Sequence, residues 1–263
     1  MRSLFLAFLL AACASAPQAP RADVGEVITA ERAFAARAAE VGWIPAFREY
    51  ATDDASMGQP GYPNAQATLA AVPDDGNRDL QWWPAFAGVS RSGDFGFTTG
   101  PVSFDAARTP RGHYFTVWRK QADGGWRWIY DGGVGPIADA NLIAQNAAHV
   151  PSLEVAVAGA DSPADAISAV RALEEGGRLG DFVAAEAQTF RSRQARLLGA
   201  DAALAIGEPS DFRIIRMEAA NGGDMVMVLG EAGAGLFARV WQLRAEGWRI
   251  VYDQRTTPRP PPP

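Results

Sequence analysis

The sequence predicts an α+β protein built from two tandem copies of one unit. Three observations predict it. Segments with helical periodicity precede strand-like runs in the first half of the chain, and the same order returns in the second. The hairpins that close the halves match: Val117-Trp118, Gly125-Trp126-Arg127 and Ile129-Tyr130-Asp131 recur as Val240-Trp241, Gly247-Trp248-Arg249 and Val251-Tyr252-Asp253. Upstream of each hairpin, Gly93-Asp94 to Gly100 matches Gly223-Asp224 to Gly230.

Residues 24–50 carry Val27, Ile28, Phe34 and Val41 at helical spacing, with Glu31, Arg32, Arg37 and Glu40 between them, and Gly42 and Pro45 divide the segment into two helices. Residues 53–76, with Gly58, Pro60, Gly61 and Pro63, read as a loop. Strands are expected at 95–99, 114–120 and 126–131, the last two joined by the turn Asp123-Gly124-Gly125. In the second half, helices are expected at 165–173 and 182–198, and strands at 212–218, 225–229, 236–243 and 248–253.

At the start of the chain, Arg2 precedes the apolar run Leu4 to Leu10 and the small residues Ala11 and Ala12. This is the pattern of a secretory signal, far shorter than the roughly 20 apolar residues of a spanning helix. Leu10-Ala11-Ala12-Cys13 resembles the lipobox of bacterial lipoproteins, which implies lipid on Cys13, the chain's single cysteine. Residues 1–12 are then the signal and 13–23 an Ala/Pro-rich tether. Ala14 after the cysteine, by resemblance to diderm lipoproteins, places the protein in the cell envelope at the outer membrane, facing the periplasm. With no second cysteine, a disulfide is excluded.

The 263 residues are 48% hydrophobic and 21% charged, ample for a core. A net charge of −6 argues against a nucleic-acid partner. The domains expected are 24–136, a linker 137–163, 164–254, and a Pro-rich tail 255–263.

Glu31-Arg32-Ala33-Phe34, Ala46-Phe47, Trp83-Pro84, Ser92 to Gly100, and Val117-Trp118-Arg119-Lys120 running to Gly125-Trp126 resemble the nuclear transport factor 2-like (SnoaL-like) superfamily, closest to bacterial members of unknown function. The second half fits more loosely. The resemblance implies two cone-shaped domains, each a curved antiparallel sheet wrapped around helices with a pocket inside. It implies no single activity, since members include isomerases, cyclases, dehydratases and binding modules.

In catalytic members an Asp, His or Tyr moves a proton in the pocket. The first candidates here are Asp53 and Asp54, either at a pocket rim or as a solvated acid pair, with His113 or Tyr114 assisting. Asp94 and Asp224 recur before strands and read as turn caps. Asp131 and Asp253 recur at strand ends, either at a pocket mouth or in a hairpin or interface role. Alternation puts Tyr114, Thr116 and Trp118 on one face, and Trp126, Trp128 and Tyr130 on one face of the next strand. Trp82, Trp83, Tyr114 and Trp118 are the candidate ligand-binding residues, with core packing as the alternative. His113 and His149 do not make a metal set, and no phosphate loop or nucleophile elbow is present, so no cofactor or metal is expected. The expected function is a non-catalytic module that binds a small apolar ligand or a protein partner. The alternatives are an isomerase or dehydratase using a pocket carboxylate, and a structural protein of envelope assembly whose halves pack sheet to sheet.

Overall fold

A computed structural model describes residues 22–136, 149–207 and 212–256; the signal, Cys13 and the Pro-rich tail lie outside the described residues. Helix α1 (Val24–Val41) begins where the Asp23 side chain accepts the Gly25 amide, and it buries Val27, Ile28, Glu31, Phe34 and Ala38 along one stripe. Gly42 then takes φ +97°, a conformation a Cβ disfavours, and α2 (Trp43–Tyr50) leaves in a new direction. Pro45 does not contribute to the break: it lies in the first turn of α2, where its missing N–H has no intrahelical acceptor.

The segment expected to be a loop holds strand β1 (Ala51–Met57) and helix α3 (Ala65–Ala71), capped by Asn64. The partner of β1 lies some 75 residues away, so no local pattern announces the strand. Strands β2 (Gln81–Trp82), β3 (Phe86–Val89), β4 (Phe95–Ser103), β5 (Pro110–Lys120) and β6 (Trp126–Val134) complete a sheet of order β1-β6-β5-β4-β2, with β3 also on β4. It is antiparallel except where β1 runs parallel to β6.

The second half comprises α4 (Pro163–Glu175), a 3₁₀ turn at Leu179–Phe182, β7 (Val183–Arg191), α5 (Gly199–Ile206), β8 (Phe212–Ala219), β9 (Met225–Ala232), β10 (Gly235–Arg244) and β11 (Gly247–Arg255). Its sheet runs β7-β11-β10-β9-β8. The helix expected over 182–198 is instead β7 and the chain following it. Ala184, Ala185 and Ala187 favour helix locally, but pairing of β7 parallel to β11 overrides that preference. β7 is the counterpart of β1, which pairs the same way with β6.

The halves pack sheet against sheet. Phe97, Phe115, Val117 and Tyr130 share one buried cluster with Met225, Met227, Leu229, Val240 and Tyr252, and the Phe115 and Tyr252 rings stack at 3.9 Å. The Tyr62 hydroxyl donates across the contact to the carbonyls of Gly230 (2.8 Å) and Phe237 (2.5 Å). The recurring Gly-Asp turns meet reciprocally: Asp224 accepts the Arg91 amide at 2.9 Å, and Asp94 accepts the Asn221 amide at 3.2 Å. The residues read as turn caps therefore also join the halves, in the manner of a two-fold contact inside one chain.

Candidate functional site

On β5, Phe115 and Val117 face the second half, while Tyr114 and Trp118 face α1 and α2. On β6, Trp126 and Trp128 face α1 and α2 as expected, but Tyr130 does not. The β5–β6 register shifts between Val117 and Trp118, which pair with Tyr130 and Trp128 and leave Ile129 as the extra residue of a bulge. A bulge reverses the faces beyond it. Tyr130 therefore turns to the other sheet, and Asp131 turns inward opposite Thr116, whose hydroxyl donates to its carboxylate at 2.8 Å.

Glu31 reaches the same interior from α1, fully buried. It accepts from Trp82 Nε1 at 2.5 Å, from Trp118 Nε1 at 3.1 Å and from the Thr98 hydroxyl. Burial outweighs these bonds and pushes its carboxyl up to about 7. Burial likewise raises Asp131 to about 8, with the Thr116 bond opposing and the charge of Glu31 adding. The Tyr114 hydroxyl is buried, its proton held more tightly than usual by burial and by the charge of Glu31, with Thr98 opposing and Asp131 adding.

Asp131 and Tyr114 lie on the wall of a cavity of about 790 Å³. Trp43, Phe47, Leu80, Trp82, Val102 and Phe104 supply its apolar surface, Gly132 to Pro136 also line it, and Arg193 reaches it from the second half. The interior is mostly apolar with a few polar groups, the usual character of a small-molecule site.

In the second half the same positions hold different chemistry. Its register shifts between Val240 and Trp241, and Asp253 turns inward opposite Arg239. Glu174 on α4 accepts from Trp241 Nε1 at 2.6 Å, as Glu31 does from Trp118. Arg239 stands where the first half has Thr116, and its buried guanidinium bonds Glu174 at 2.6 Å and Asp253 at 2.7 Å. Arg191 pairs with Asp253 at 2.6 Å, and its charge with that of Arg239 holds the Asp253 carboxyl down against burial. The acids of the second half are thus neutralised internally, and those of the first half are not.

Asp53 and Asp54 are exposed on β1 and do not line this cavity. Asp54 instead pairs with Arg119 at 2.8 Å and with Arg216 of the second half at 3.3 Å. His113 contributes to the cavity wall but stacks on Phe190 at 4.2 Å, and burial lowers it to about 3, so it stays neutral and moves no proton near neutrality. His149 is exposed. Trp82 and Tyr114 line the cavity; Trp118 lies behind it and orients Glu31; Trp83 lies off the cavity, under the Arg108 guanidinium. Among the described residues no group of His, Cys, Asp and Glu could hold a metal ion, and no helix is long and apolar enough to cross a membrane.

No family profile and no curated protein matches the chain. Among solved structures, a ketosteroid isomerase-like protein from Erwinia carotovora atroseptica is similar over 43% of this chain and 97% of its own, with 21% identity and a TM-score of 0.31. A protein of unknown function from Pseudomonas putida, nuclear transport factor 2-like, covers 38% of this chain and 92% of its own at 15% identity and a TM-score of 0.28. A third, from Bacteroides fragilis, covers 91% of this chain and 100% of its own at 8% identity and a TM-score of 0.24. These neighbours are named as ketosteroid isomerase-like or nuclear transport factor 2-like proteins. Glu31 and Thr116 are polar residues of the site that stand outside the sequence-based candidates. The signal for Glu31 was present: it falls on the apolar stripe of Val27, Phe34 and Ala38, where an acid is buried. Glu174 repeats that signal beside Ala166 and Val170.

Proposed function

We infer that this protein binds a small molecule in the first-half cavity, with the second half acting as a built-in structural partner. The observation that carries this reading is the contrast at one position: Thr116, bonded to Asp131 on the cavity wall, and Arg239, locked between two acids. The apolar walls favour a flat or greasy body, and Asp131 and Tyr114 offer it hydrogen bonds. Arg193 from the second half helps form the wall, so the site draws on both halves. The test is native mass spectrometry of the full chain after exposure to metabolite and lipid extracts. A species retained by the wild type and lost in Val102→Trp, which fills the cavity, is the expected result. Retention of nothing, with the apo protein unshifted in melting temperature by any extract, sinks the reading.

A second reading is proton-transfer chemistry of the isomerase or dehydratase type. It is favoured by Asp131, a carboxyl raised to about 8 at a cavity wall, with the Tyr114 hydroxyl on the same wall for a substrate oxygen. Wild-type protein would then exchange deuterium into a carbon acid that occupies the cavity, and Asp131→Asn would not. Unchanged exchange in the variant refutes it. The lipid anchor belongs to the same proposal: Cys13 would hold the two halves at the outer membrane on the 13–23 tether. Cys13→Ser should then move the protein to the soluble fraction.

A further inference from the structure

The second half already contains a liganded version of the first-half site. Its two acids, Glu174 and Asp253, occupy the positions of Glu31 and Asp131: each helix acid accepts the indole N–H of the matching tryptophan, and each strand acid follows the same bulge. What lies between them is a guanidinium, with the Phe237 ring 5.1 Å from its carbon. Tyr114 stands where the second half has Phe237, two residues before the Thr116/Arg239 position; the residue is 94% buried and its hydroxyl is shut away from solvent. The first half thus keeps the acids and the aromatic ring and lacks the cation.

We propose that the first-half cavity takes a cationic small molecule, an amine or amidine head on a flat apolar body, whose head pairs with Asp131 as the Arg239 guanidinium pairs with Asp253. This rests on the pocket reading above and names its ligand class. The head meets Asp131 directly, with Tyr114 beside it and Glu31 behind adding negative charge. The body lies against Trp43, Phe47 and Trp82, whose faces attract a cation as well as an apolar surface. At the mouth, Asp75 faces the cavity with Arg111 and Arg193, all three exposed and solvated. Those arginines oppose entry only weakly because water screens them. Asp131 must release its proton to pair, so affinity for a cation rises with pH up to about 8, by up to about tenfold for each pH step of one.

Benzamidine and its neutral isostere benzamide test this by calorimetry on the full chain at pH 6.5, 7.5 and 8.5. The expected result is benzamidine bound about tenfold tighter than benzamide at pH 8.5, with affinity rising between the first two pH values. Asp131→Asn should weaken benzamidine about tenfold and leave benzamide within about twofold. That variant keeps the side-chain shape, and a circular-dichroism melt confirms its fold. Equal affinities, a preference for benzamide, or indifference to Asp131→Asn overturns the proposal. So does failure of both probes to bind. The pocket reading would survive any of these outcomes if native mass spectrometry retained a neutral or anionic species.

Discussion

Arg239→Met tests the claim that the second half is closed by an internal ion network. Methionine keeps most of the side-chain volume and adapts to irregular space, so the change removes charge with little cavity. Asp253 still has Arg191 at 2.6 Å, but Glu174 is left fully buried with Trp241 Nε1 as its remaining partner. Removing one member of a buried pair costs about 3–5 kcal/mol, a large part of the roughly 5–15 kcal/mol that holds a domain together. The cost has a pH signature. An unpaired buried carboxylate takes up a proton, so its folded-state affinity for protons rises above the unfolded value. The penalty is then complete above the new folded value and fades as pH falls toward the unfolded value near 4.3, by about 1.4 kcal/mol per pH step. Urea unfolding at pH 5, 6.5 and 8, followed by tryptophan fluorescence, measures it. A loss below about 1 kcal/mol at pH 8, or one that does not change with pH, would refute the reasoning.

Asp131→Asn should match the wild type in stability near pH 4 and exceed it by about 1–3 kcal/mol at pH 9, since a carboxyl raised to about 8 in the fold loses stability as pH climbs from its unfolded value through 8, and cavity water moderates the full effect; urea midpoints at the two pH values check it. Tyr62→Phe removes the hydroxyl that two carbonyls of the second half share, and should cost about 1–2 kcal/mol with ligand binding unchanged, read by thermal melts and calorimetry. Asp54→Ala touches only partly exposed ion pairs and should change stability by less than about 1 kcal/mol. A variant at Asp54 that abolished ligand binding would return that residue to the site.

The α+β class, the duplication and the order of the closing strands were all legible in the sequence, because periodicity and turn chemistry are local properties. The face carrying Tyr114 and Trp118 followed from the two-residue alternation of β5. Strands β1 and β7 were not legible, because each owes its conformation to a parallel partner remote in sequence. Tertiary pairing also decided the site. One extra residue, Ile129, reverses the side chains of β6, sending Tyr130 to the interface and Asp131 inward; no composition or spacing marks such a bulge. From their place after a helix, Asp53 and Asp54 could sit at a pocket rim or in solvent, and the arginines of both halves hold Asp54 on the surface. The repeat was evident from matching residues such as Trp118 and Trp241. That only one copy keeps its interior acids free depends on which side chain stands between them, Thr116 or Arg239, and that comparison has physical meaning only once both strands are folded against their helices.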